Sequence, residues 1–272
     1  MTKTVSTRKP VVDWITVVAI AAIAISLNVA IHEGTHALTC LLGGGDLQEY
    51  SALHVLCGSQ TVLQDKFVAG SAAIFNILFG LLIWRFVSSP REMSSSTRFF
   101  LWLFMLMNWL NGSGYFMFSG IANVGDLAEV IDGWEPAWLW RVLMTIFGTV
   151  MFMFFVWLAL RELGKMIGGE LDEQIGRANK LGLISYFTAF MVVLLAGLFN
   201  PYGFASLPVI AGLLAVAGGM SPLVWMMQWF RAKTFVKVEK KPLEIHRSWQ
   251  LIAIAGVAVF VYAFILGQTI YF

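Results

Sequence analysis

Charged side chains are what this sequence has least of. They make up 12% of its 272 residues, against roughly 25% in an ordinary soluble domain. A water-soluble fold could not cover a chain that is 58% hydrophobic with so few charges. That shortage excludes a soluble globular enzyme, a disordered regulator and a nucleic-acid binder. Also lacking are an internal repeat, a low-complexity tract, a separate soluble domain, a phosphate-binding glycine loop and a Ser-His-Asp arrangement. Cysteine is limited to Cys40 and Cys57, and histidine to four residues. The net charge of +2 says little by itself; where the positive charges fall says more.

What the sequence does have is long apolar runs. A spanning helix needs about 20 mostly apolar residues. Seven stretches qualify: Val11–Leu42, Phe67–Val87, Arg98–Phe118, Ala137–Leu160, Leu181–Phe199, Tyr202–Met220 and Trp249–Phe272. The fifth and sixth are parted only by Asn200-Pro201, so they read either as two spans or as a re-entrant hairpin. The expectation is an all-α polytopic membrane protein of about seven transmembrane helices, forming one integral membrane domain over residues 1–272. Its surroundings are the lipid bilayer.

The basic residues then set orientation. Lys3, Arg8 and Lys9 precede the first span, and Arg85, Arg91 and Arg98 surround the turn between the second and third. Arg161, Lys165, Arg177 and Lys180 lie between the fourth and fifth. Arg231, Lys233, Lys237, Lys240, Lys241 and Arg247 lie before the last. With seven spans all of these share one face, and the other keeps only Lys66 and Arg141. By the positive-inside rule the N-terminus is expected in the cytoplasm and the C-terminus outside. Thr234–Glu239 alternates apolar and basic residues, which suits either contact with anionic lipid or a solvated loop obeying the same rule. Trp134–Trp140 and the pair Trp225 and Trp229 read as interfacial aromatic belts. Gly112, Gly114 and Gly120 suit close helix packing or room for a substrate strand.

Ionisable residues inside a span are expensive and usually functional. The first span carries His32-Glu33-Gly34-Thr35-His36, the pattern H-E-x-x-H. On a helix the two histidines, one turn apart, share a face and can reach one zinc ion. Glu33 beside them is placed to deprotonate a zinc-bound water. The alternative is that both histidines merely bond to neighbouring helices. Asn28, one turn before His32, either orients a ligand or satisfies a backbone carbonyl. Catalytic zinc generally takes three protein ligands. Asp126, after the third span on the expected external side, leads for the third place, ahead of Glu129 and His54. Cys40 and Cys57 both fall on that side, where an oxidising exterior permits a disulfide; two free thiols are the alternative.

These residues resemble the site-2 protease family of intramembrane zinc metalloproteases. The likeness rests on His32, Glu33 and His36 in a first core helix, on the glycine-rich Gly43–Gln64 after it, and on Ala69-Gly70-Ser71 with Asn76 opening the next helix. It covers about the first half of the chain. It implies a metalloprotease core over residues 1–135, with 136–272 as additional transmembrane helices, and a short β-like hairpin within Gly43–Gln64. It implies one Zn2+ per chain on His32, His36 and Asp126, and a substrate-holding asparagine matched by Asn123 or Asn111. The chain departs from the family in reading Gly125-Asp126 where the family has Asp-Gly after a proline. The function expected is hydrolysis of a peptide bond in a transmembrane or membrane-proximal substrate; the charge distribution, not the resemblance, puts the site toward the outside. The alternatives are a zinc-dependent hydrolase of lipid amides or esters and a non-catalytic protein that binds membrane helices.

Overall fold

In a computed structural model, residues 11–59, 61–89, 92–169, 171–231 and 242–272 are described. Lys3, Arg8, Lys9, Arg91, Lys233, Lys237, Lys240, Lys241 and the segment Thr234–Glu239 lie outside the described residues. The elements run α1 (Trp14–Leu42), β1 (Asp46–Tyr50), β2 (Val55–Gly58), α2 (Val62–Val87), α3 (Ser95–Ala122), α4 (Asp126–Ile131), α5 (Ala137–Ile167) and α6 (Leu171–Leu198). Next come α7 (Leu207–Leu214), a π-helical turn Ala215–Gly219, α8 (Pro222–Trp225) and a 3-10 turn Met226–Arg231. Last are α9 (Trp249–Val259), a second π-helical segment Phe260–Ile265, a 3-10 turn Leu266–Gln268 and β3 (Ile270–Tyr271).

This is an all-α polytopic membrane protein with one small sheet. Among the described residues, six helical runs are long and apolar enough to cross a membrane: Trp14–Leu42, Val62–Val87, Ala137–Ile167, Glu173–Leu198, Leu207–Trp229 and Trp249–Gln268. The run Leu207–Trp229 after Asn200-Pro201 has the length and apolar composition of a span. The expected span Arg98–Phe118 lies within α3, which does not meet the same apolar standard. It has the length but carries Asn108, Asn111, Ser113 and several glycines, and it packs against α1, α2 and α5. Surrounding protein, rather than lipid, allows that composition.

Packing around α1 and α3 makes the core. Val17, Ile20, Ala21, Ala24 and Ile25 of α1 are fully buried or nearly so, as are Trp102, Met105, Leu106 and Trp109 of α3. Trp109 stacks on Phe155 of α5 at 4.7 Å between ring centroids. Trp102 donates its indole N–H to the Ala159 carbonyl at 2.9 Å, so its polar atom is satisfied away from water. Glycines set the helix spacing. A Cβ at Gly112 would stand 2.5 Å from the Ala73 carbonyl oxygen, and one at Gly148 2.5 Å from the Met117 nitrogen. Outward positions such as Leu78, Phe147, Val150, Phe187 and Val257 are exposed and apolar, as a lipid-facing surface requires.

Two ends can be told apart. At one, Asp13 caps α1 by accepting from the Thr16 amide at 2.9 Å and pairs with Arg247 at 2.8 Å. Val12 bridges Ile245 there, so α1 and α9 start side by side. At the other end lies the sheet, in the order β2-β1-β3 with antiparallel neighbours. The hairpin expected within Gly43–Gln64 is β1 and β2. β3 corrects the reading of Trp249–Phe272 as helix throughout: its last residues leave the helix and pair with Glu49 and Tyr50. Cys40 and Cys57 form a disulfide that ties β2 to the last turn of α1. Gly45 leaves the space for it, since a Cβ there would stand 2.7 Å and 2.9 Å from the two sulfurs.

Candidate metal centre

α1 runs as one helix through residue 42, so the H-E-x-x-H residues occupy its last third, next to the sheet. His32, Glu33 and His36 are buried there. Two threonines beside them bond within the helix: the Thr35 hydroxyl donates to the Ile31 carbonyl and the Thr39 hydroxyl to the Thr35 carbonyl. The histidine rings face away from that bookkeeping, toward α2, α3 and α4.

Asp126 reaches them through a sharp turn. Asn123 ends α3 in the left-handed conformation at φ 56°, and Gly125 follows at φ 84° and ψ 177°. That region is essentially restricted to glycine. The chain thereby reverses, and Asp126 opens α4 with its carboxylate toward α1. α4 can lie close because Gly70 of α2 has no side chain; a Cβ there would stand 3.1 Å from Val130. The Asp126 Oδ2 atom lies 3.1 Å from His32 Nε2 and 3.2 Å from His36 Nε2. Burial alone would raise the Asp126 carboxyl, but the two imidazoles against it outweigh burial and hold it well below the usual carboxylate range.

The three donor atoms fall within 4.8 Å of one another and could hold a metal ion. Two imidazole nitrogens and one carboxylate oxygen form a recognised donor set for a transition metal. The edge of a tetrahedron with bonds near 2.0 Å is ~3.3 Å, which matches the two distances from Asp126. His36 is oriented for such a role. Its Nδ1 lies 2.8 Å from the Val68 carbonyl, which can only accept, so Nδ1 carries the proton and Nε2 offers its lone pair. The His32 ring is held by stacking on Tyr115, with centroids 4.9 Å apart and planes at 15°.

The rival ligands have other roles. His54 bonds through Nε2 to Glu49 at 3.0 Å and through Nδ1 to the Ser51 hydroxyl at 2.7 Å. Tyr202, in the turn before α7, donates its hydroxyl to Glu49 at 2.6 Å. Glu129 lies a turn beyond Asp126 in α4, outside the three-donor group, and burial raises its carboxyl.

A cavity of about 530 Å³ adjoins the three donors, and Glu33 forms part of its wall. Val55, Leu56 and Cys57 of β2 border it on one side, and Gly212, Ala215, Gly218 and Gly219 on another. β2 is the edge strand there, paired only with β1 among the described residues. Asn28 and Asn111 line the cavity, the Asn111 amide donating to Asn28 Oδ1 at 3.2 Å. Asn76 is buried in α2 away from the cavity walls. Asn123 is exposed, and its place in the structure is the left-handed helix cap.

Sequence reasoning passed over Tyr115, which no motif marks, and the Glu49–Tyr202 contact, which joins residues far apart in the chain. It also passed over the small-residue wall around Gly218-Gly219, although that glycine pair ahead of Pro222 is a local break signal. Comparison with protein-family models, with curated proteins and with solved structures finds no match.

Proposed function

We propose that the chain is a membrane-embedded zinc metalloprotease that hydrolyses a peptide bond in a transmembrane or membrane-proximal substrate. The observation that carries this reading is the convergence of His32, His36 and Asp126 donors beside a buried glutamate on a cavity wall. His32, His36 and Asp126 would hold one zinc ion, leaving a position open for substrate or water. When bound, the ion supplies Lewis acidity, which polarises a carbonyl and makes water a nucleophile near neutral pH.

Glu33 supplies the proton transfers. It takes a proton from the attacking water and delivers it to the departing amine nitrogen. Its burial keeps that proton from leaking to solvent, and the open cavity face gives it access to substrate. A peptide bond inside a helix is shielded by its own hydrogen bonds, so the substrate must unwind locally. The edge of β2 along the cavity offers the backbone partners an unwound strand needs. This feature favours a polypeptide over a lipid amide. The charge asymmetry of the loops supports a cytoplasmic N-terminus, an external C-terminus and a site toward the outside.

The test compares Glu33→Gln with wild type in proteoliposomes containing a panel of single-span helical substrates. The variant should retain its zinc and lose cleavage by a factor of at least ~10². Cleavage at the wild-type rate would remove Glu33 from the mechanism. Release of fatty acid from lipid amides with every peptide spared would move the activity to lipids.

A further inference from the structure

Stacking on His32 needs only the ring of Tyr115, which phenylalanine would supply equally, so the hydroxyl calls for its own reason. Tyr50, Tyr186 and Tyr262 each donate theirs to a backbone carbonyl, and Tyr202 donates to Glu49. The Tyr115 hydroxyl has no hydrogen-bond partner among the described residues. It is not sealed in either: the side chain is only partly buried and forms part of the wall of the cavity beside His32, Glu33 and Asp126. The ring is fixed on two sides. One face lies against the His32 imidazole, and its Cε1 edge lies 3.5 Å from where a Cβ on Gly125 would stand. Cε1 is bonded to the carbon that bears the hydroxyl, so that end of the ring reaches the turn from which Asp126 extends. Asp126 and Glu33 both lie within electrostatic reach of the hydroxyl, yet it bonds to neither.

We propose that Tyr115 is a catalytic residue whose hydroxyl donates a hydrogen bond to the scissile carbonyl oxygen as negative charge develops on it. The proposal rests on the metalloprotease reading and deepens it. Attack of water on a peptide carbonyl moves charge onto that oxygen, and a donor already aimed at it stabilises the transition state more than the ground state. The other groups at this point are acceptors: the Glu33 and Asp126 carboxylates when ionised, and the His36 Nε2 lone pair. A tyrosine hydroxyl adds a donor without adding a charge, so it does not compete with a cation for the ligands. The stack on His32 and the contact at Gly125 hold it in place before substrate arrives, so little reorganisation is needed when the charge appears.

The test compares Tyr115→Phe with wild type in the full-length, zinc-loaded protein in detergent. The substitution keeps the ring on His32 and removes only the hydroxyl. Two probes copy the segment of the panel helix at which wild type cleaves, and titration calorimetry reads their binding. A phosphinic peptide places a tetrahedral, negatively charged group where the carbonyl would react; a mercaptoacyl peptide engages the metal through sulfur and offers no such oxygen. Tyr115→Phe should weaken the phosphinic peptide about ten- to a hundredfold, with mercaptoacyl affinity and zinc content unchanged. Turnover should fall by a similar factor in kcat with KM held, the mark of a contact made only in the transition state. Equal affinity of the phosphinic peptide for wild type and variant would overturn the proposal. Equal losses for the two probes, or loss of zinc, would also overturn it, because Tyr115 would then act only by holding His32. A wild type that holds no zinc and cleaves no member of the panel would overturn the metalloprotease reading and this contact with it.

Discussion

Two histidine–carboxylate clusters border the same cavity, and they differ in what they leave unused. In the first, Asp126 Oδ2 stands against two imidazole nitrogens, and His36 has spent only Nδ1 on the protein. In the second, His54 spends both ring nitrogens on Glu49 and Ser51, and Glu49 bonds to Tyr202 as well. The first keeps lone pairs converging on one point. The second is closed, and it fastens β1 to the turn that leads into α7. Composition alone does not separate them, since each has histidine and a carboxylate. What separates a metal centre from a clasp is the donor capacity left after the protein's own bonds are counted.

The largest effect that divides the two should come from the first cluster. His32→Ala or Asp126→Ala should abolish stable zinc binding and all activity that depends on it, while Glu49→Gln should leave both intact; elemental analysis beside a cleavage assay checks this. Next comes the turn that aims Asp126. Gly125→Ala forces a side chain into a glycine-only conformation at a cost of about 1–3 kcal/mol, or moves the carboxylate. Weakened zinc affinity with the fold retained is the expected outcome, read by chelator competition against the wild type.

The clasp should respond more modestly. Tyr202→Phe removes a hydroxyl from Glu49 and should lower the melting temperature in detergent while zinc stays bound. Acid should do the same by another route. The Tyr202 hydroxyl, and then His54, hold the Glu49 carboxyl below its ordinary value. A carboxyl with a lowered folded-state pKa contributes stability above its unfolded value, near ~4.3, and loses it as pH falls through the folded value. The melting-temperature gap between wild type and Glu49→Gln should therefore close on acidification below that value. A gap that widens instead would reverse the sign of this account.

Much of this was readable from particular residues. His32 and His36 share a face because a helix repeats every 3.6 residues, and the long apolar run around them leaves no other structure open. The charge alternation put Asp126 at the same end as His36. Its advantage over Glu129, one turn later in α4, lies in the Gly125 backbone and in the clearance at Gly70. Those are tertiary facts, and no local pattern encodes them. β3 was hidden because Ile270 and Tyr271 continue an apolar run, and only pairing with β1 makes them a strand. α3 shows what composition hides: the expected span lies within it, but its polar residues lower its hydropathy because neighbouring helices surround it. The Glu49–Tyr202 contact spans 153 positions in the chain, a separation that no motif bridges.

The most direct test is zinc per chain in detergent-purified wild type, Asp126→Ala and Glu49→Gln. The account predicts about one zinc in the wild type and in Glu49→Gln, and none in Asp126→Ala. Zinc retained by Asp126→Ala and lost from Glu49→Gln would contradict it, because the metal would then belong to the cluster described here as closed.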